Sequence, residues 1–179
     1  MCGVLKTPPV NPTIVRVLRD FADSGFDMVS MRAAASSVGV VNPMSDPMLV
    51  LFDLLGGGVL QLAAADEAGE RVGAAIATVC SWDPAFGDPG DDPERDAFDA
   101  HYDQLMAMVV ATIGAADHRG VDEEQFGFRW AAWSGVAGLM VVQQSWYDYC
   151  PDINIWVRPH PETGFTPTGQ FAAWIMSTP

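Results

Sequence analysis

Strand signals in this chain follow one another with few helices between them, and that order narrows the fold more than any other feature. "MLVLFDLLGGGVLQLAAAD" is two apolar runs divided by Gly56, Gly57 and Gly58, the mark of a hairpin. After a turn at residues 67–70, "RVGAAIATVCSWD" supplies a third strand. Further on, Phe126, Phe128 and Trp130 alternate with Gly127, Arg129 and Ala131, the period of two that a half-buried strand requires. A second strand over residues 139–146 leads into "YDYCPD", which turns the chain. "INIWV" then returns with Ile153, Ile155 and Val157 on one face and Asn154, Trp156 and Arg158 on the other. Parallel strands need long crossovers between them, so consecutive strands predict an antiparallel sheet. The expected fold is one α+β domain over residues 1–179, an antiparallel sheet of about six or seven strands with two main helices packed against it.

Start and stop signals place those helices. Asn11 and Pro12 supply a cap and a first-turn proline ahead of Ile14, Leu18, Phe21 and Ala22, a helical stripe that Gly25 ends. Asp92 and Pro93 repeat that grammar before Phe98, Tyr102, Leu105, Met106, Val109 and Ile113, and Gly114 stops the run. Between Ile113 and Phe126 the stretch "AADHRGVDEEQ" reads as a linker. Residues 28–33 read as a strand with a turn at 36–39, a short second helix being the alternative, and the tail from Thr163 onward suggests a last short helix.

Hydrophobic residues make up 49% and charged residues 18% of the 179, which is the composition of a chain that folds around a core. Its apolar runs end well short of the roughly 18 to 20 residues of a membrane span. "MCGVLKTPPVNP" lacks the apolar stretch of a secretory signal, so the expected location is the cytoplasm. Cys2, Cys80 and Cys150 are odd in number and widely spaced, which points to reduced thiols and away from disulfides or zinc.

Charge carries the main functional clue. Twenty-three acids oppose nine bases for a net −14, which argues against nucleic acid as a ligand, since such binders cluster Lys and Arg. Between Asp83 and Glu124 stand twelve acids and only Arg95 and Arg119 as bases, so this segment holds −10 of the total. One sign of charge gathered in one place raises the encounter rate with an oppositely charged partner. The plain alternative is a solvated loop and helix face, and on that view Asp99 is a surface acid whose removal leaves stability nearly unchanged. The candidate partner-binding residues are Asp88, Asp91, Asp92, Glu94, Asp96, Asp99 and Asp103. Trp156 is added as an aromatic anchor, its competing role being sheet packing.

Catalytic motifs are missing. Ser134 in "WSGVAG" lacks the first glycine of a nucleophile elbow, and Lys6, the one lysine, lies outside any phosphate-binding loop. "DPGDDPERD" has carboxylates at close spacing but not the glycine and terminal Glu of a calcium loop. Cys150 and His160, with Asp148 or Asp152 as orienting acid, make a conceivable triad, against the simpler reading of a loop thiol beside an exposed histidine. His101 and His118 read as surface residues. No metal or cofactor is expected.

The stretch from residue 94 to 161 resembles small bacterial immunity proteins of interbacterial and polymorphic toxin systems. The resemblance lies in the acidic amphipathic helix, the Trp-rich strand with Trp130 and Trp133, and the strand through Val141, Val142, Gln143 and Gln144. Asp148 at that strand's end and the closing "INIWVRP" complete it. It implies a cytoplasmic, non-catalytic domain whose acidic face occludes the basic active site of a cognate toxin domain, such as a nuclease or an NAD-consuming enzyme. An acidic secretion chaperone, or an enzyme whose motif one sequence does not reveal, are the alternatives.

Overall fold

A computed structural model of the protein describes residues 5–6, 10–82, 94–122, 126–147 and 150–160. Helix α1 spans Pro12–Ser24, and the Asn11 carboxamide oxygen accepts from the amides of Thr13 at 2.9 Å and Ile14 at 3.1 Å. These are donors that the first turn of a helix leaves without an intrahelical partner. Ile14, Val15, Val17, Leu18, Phe21 and Ala22 form its buried side, and Gly25 ends it at φ 97°. Helix α2 is Met28–Ala35.

Of the two readings of residues 28–33, strand or short second helix, the structure has the helix, and the physical reason is local. Asp27 caps it by accepting from the Ser30 amide at 2.8 Å, and Met28, Met31 and Ala35 are buried at helical spacing. Val29 is the one β-branched residue in a segment otherwise rich in Ala and Met, which are strong helix formers.

The strands are β1 (Leu5–Lys6), β2 (Gly39–Val41), β3 (Leu49–Leu54), β4 (Val59–Ala64), β5 (Val72–Trp82), β6 (His118–Asp122), β7 (Phe128–Ser134), β8 (Gly138–Tyr147) and β9 (Cys150–Pro159). Helix α3, Arg95–Ile113, joins β5 to β6. All strands enter one antiparallel sheet in the order β2-β3-β4-β5-β9-β8-β7-β6, with β1 paired to β5. The nine strands among the described residues exceed the six or seven expected, because β1 and β2 are very short and β6 lies where the sequence reads as a linker.

The architecture is two four-stranded meanders, β2 to β5 and β6 to β9, welded by the β5–β9 pair at the centre. β5 is central and β6 is an edge, so α3 has to cross one face of the second meander to connect them. It packs there against α1. Phe98, Tyr102, Leu105 and Val109 of α3 join α1, α2 and one face of the sheet in the main core, which includes Phe52, Leu60, Leu62, Met140, Val142, Ile153, Ile155 and Val157. Met106 and Ile113 are only partly buried against it.

The opposite face of the second meander carries a smaller cluster, Trp130, Ala132, Leu139 and Val141, with Trp156 packed on it. Trp130 and Trp133 thus face opposite sides. Trp133 belongs to the main core and donates its indole N–H to the Gly114 carbonyl at 3.0 Å. The Trp130 ring lies over Gly120, its cross-strand partner, in the space a Cβ there would fill. Phe128 and Trp130, expected on one face, separate into the two clusters; between them the Arg129 amide bonds the Gln144 side chain, and the β7–β8 ladder starts at Trp130.

Candidate acidic surface on helix α3

Asp96, Asp99 and Asp103 lie on α3, and its position on the sheet is held by a polar network centred on Asp99. Gln144 on β8, itself buried at 1% exposure, donates its side-chain amide to Asp99 Oδ1 at 2.6 Å. Arg95 Nε donates to Asp99 Oδ2 at 3.0 Å. Arg129 on β7 reaches the same helix: its Nη2 donates to the Asp99 carbonyl at 2.9 Å, and its Nη1 pairs with Asp103 at 2.8 Å. The Gln144 carboxamide oxygen accepts from the Arg129 backbone amide at 2.9 Å, so one side chain joins strand and helix. Two stacked cations complete the clamp, Arg129 over Tyr102 at 4.6 Å and Arg95 over Phe128 at 4.8 Å.

This arrangement corrects the view of Asp99 as a plain surface acid. It is a tether with both carboxylate oxygens engaged. Asp96 is exposed in the first turn, where a negative charge also suits the helix dipole. Asp103 remains 66% exposed even while paired with Arg129. Glu94 immediately precedes the helix and is half-buried. Asp88, Asp91 and Asp92, and with them the expected cap at Asp92 and Pro93, lie outside the described residues, as does the tail beyond residue 160.

Trp156 is not brought to that surface. It sits on the other face of the sheet, opposite Val141 on β8 and Ile76 on β5. Beside it run buried polar residues: Gln143 directly opposite Asn154, and Ser145, whose hydroxyl accepts from the Asn154 amide at 3.4 Å. Among the described residues, Gln143 Oε1, Asn154 Oδ1 and Trp156 Nε1 find no hydrogen-bond partner. The Gln143-Gln144 pair is thereby divided, one amide on each face.

Cys150 and His160 do not meet. They stand at opposite ends of the extended strand β9, which at roughly 3.3 Å per residue separates their backbones by about 30 Å. His160 instead places Nε2 at 2.9 Å from the Gly135 carbonyl, in the β7–β8 turn. The same turn is held by α1, through Arg19 donating to the Ser134 carbonyl at 2.9 Å and the Ala137 amide donating to Ala22 at 2.8 Å. Asp152 bonds the Ser81 hydroxyl at 2.9 Å, and burial raises its pKa above the usual carboxylate value. Burial pushes the neighbouring Cys80 thiol up to about 12, so at neutral pH it is a protonated packing group, not a nucleophile.

Among the described residues no group of three or more His, Cys, Asp or Glu is placed to hold a metal, and no helix is long and apolar enough to cross a membrane. Comparison with protein-family models, with curated proteins and with solved structures found no match to this chain.

Proposed function

We propose that this protein is a non-catalytic binding protein of the immunity or antitoxin type, which neutralises a cognate toxin domain by laying an acidic surface over its basic active site. One observation carries the reading: α3 presents exposed carboxylates, Asp96 and Asp103, on a helix that Gln144, Arg95 and Arg129 fasten to the sheet. A charge on a fixed scaffold loses little conformational freedom on docking, so more of its interaction energy appears as affinity. The surrounding segment from Asp83 to Glu124 bears −10, which steers a positively charged partner toward that helix. Asp99 acts in this scheme by holding the helix, and Trp156, on the far face, is left outside the footprint. A nuclease or an NAD-consuming enzyme, whose active site must attract phosphate groups, has the charge such a surface fits.

The test is purification of the tagged protein from its source cells, followed by expression of any stoichiometric partner alone and together with it. The expected result is a folded basic domain that arrests growth alone and is tolerated when co-expressed. A partner held unfolded, or one whose toxicity persists on co-expression, contradicts the reading.

A further inference from the structure

The two edges of the sheet differ in a way the acidic surface does not explain. At one end, β6 carries His118, Arg119 and Asp122, the charged guard by which edge strands avoid pairing with other chains. At the other end, β2 is Gly39, Val40 and Val41, without a charge. Val40 is 65% and Val41 43% exposed, and Met44 at 82% and Met48 at 45% flank them. Residues 33–45 carry no charge in a chain of net −14, the nearest acids being Asp46 and, opposite Val40 on β3, Asp53. Along this uncharged, apolar stretch two copies of so acidic a protein can approach without setting acid directly against acid.

Backbone geometry makes the edge self-complementary. The Asn42 amide donates to the Leu51 carbonyl and the Leu55 amide to the Val38 carbonyl, each at 2.9 Å. Hydrogen-bonded pairs alternate along an antiparallel ladder, so Val40 opposite Asp53 is the bonded pair between them. Gly39 and Val41 are then the non-bonded positions, and their N–H and C=O groups point away from β3. A two-fold axis through Val40 would set Gly39 of one copy against Val41 of the other, a bonded pair at both ends, with the two Val40 side chains in contact across the axis.

We infer that this protein self-associates into a two-fold dimer through antiparallel pairing of β2 with β2 of a second copy. The interface is separate from α3, which is fastened to β7 and β8 in the other meander. Because both copies are acidic, screening their mutual repulsion strengthens the association, so the dimer tightens as salt is added.

Sedimentation equilibrium of the full chain tests this over about three decades of concentration, at low and high salt. Wild type is expected to move from 19.2 kDa toward twice that mass, at lower concentration in high salt. Val40→Glu sets two carboxylates against each other at the axis, each already beside the Asp53 of its own copy. Val41→Pro removes an outward N–H that β3 does not use, a position where edge strands accept proline. Both variants are expected to stay monomeric with unchanged circular dichroism. A wild type that is monomeric throughout overturns the inference, as does a dimer that persists in either natively folded variant.

Discussion

Asp99 separates what a carboxylate does for the fold from what it offers a partner. Removing it leaves the Gln144 amide, 1% exposed, without its acceptor and takes one partner from Arg95, and an unsatisfied buried donor costs about 1 to 3 kcal/mol. Asp99→Ala is therefore expected to lose that much in urea melts. Asp103→Ala removes a carboxylate that is 66% exposed and is expected to lose under about 1 kcal/mol, as exposed ion pairs do. Equal losses would mean the Gln144 tether is not formed. The distinction was illegible in sequence because Gln144 lies 45 residues from Asp99, while a helical wheel reports only local neighbours.

A second residue-scale expectation concerns Cys80. The unfolded thiol ionises near 9, whereas the native one, chiefly through burial and then through Asp152, holds its proton up to about 12. Between those values the unfolded state binds fewer protons, so stability falls as pH rises, by at most about 1.4 kcal/mol per pH unit. Denaturant melts at pH 8 to 11 should show this decline, shallower in Cys80→Ala. The Tyr102 phenol, also raised by burial, contributes in the same direction at still higher pH in both proteins. An identical slope in the two would remove Cys80 from the account.

Elements were legible where cap, stripe and stop lie close together. α1 has all three in one short segment, and its buried residues include each one the periodicity selects. α3 shows its stripe as clearly: Leu105→Ala is expected to cost about 2 to 5 kcal/mol, since that side chain is 8% exposed and packs in the main core. A melt within about 0.5 kcal/mol of wild type, the range of surface changes, would place Leu105 on the wrong face. α2 stayed open between strand and helix because its cap, Asp27, precedes a segment short enough for either period. β6 was missed because a polar edge strand alternates little: only Gly120 and Asp122 are half-buried in it. Against β7 it is covered at Gly120 by the Trp130 ring, a contact no local pattern encodes.

At the scale of the molecule, the antiparallel class followed from strand order, but the weld between the two meanders did not. β5 and β9 are separated by α3 and three strands, and their pairing, with a shift between Thr78 and Cys80, is a tertiary choice that buries both meanders against one helical layer. That choice also places the acidic helix and Trp156 on opposite faces, so the proposed partner surface reduces to α3 and its flanking acids.

The most direct test of that proposed surface is the association rate with the partner purified with this protein, a basic toxin domain on the proposed reading, measured by surface resonance at low and high salt. Asp91→Lys, Asp92→Lys and Asp96→Lys are combined in one variant that leaves Asp99 and its tether intact. The account predicts association slowed by about tenfold or more at low salt, a flatter salt dependence, and unchanged circular dichroism, because such charges act through steering. An association rate equal to that of wild type at both salt concentrations would contradict it.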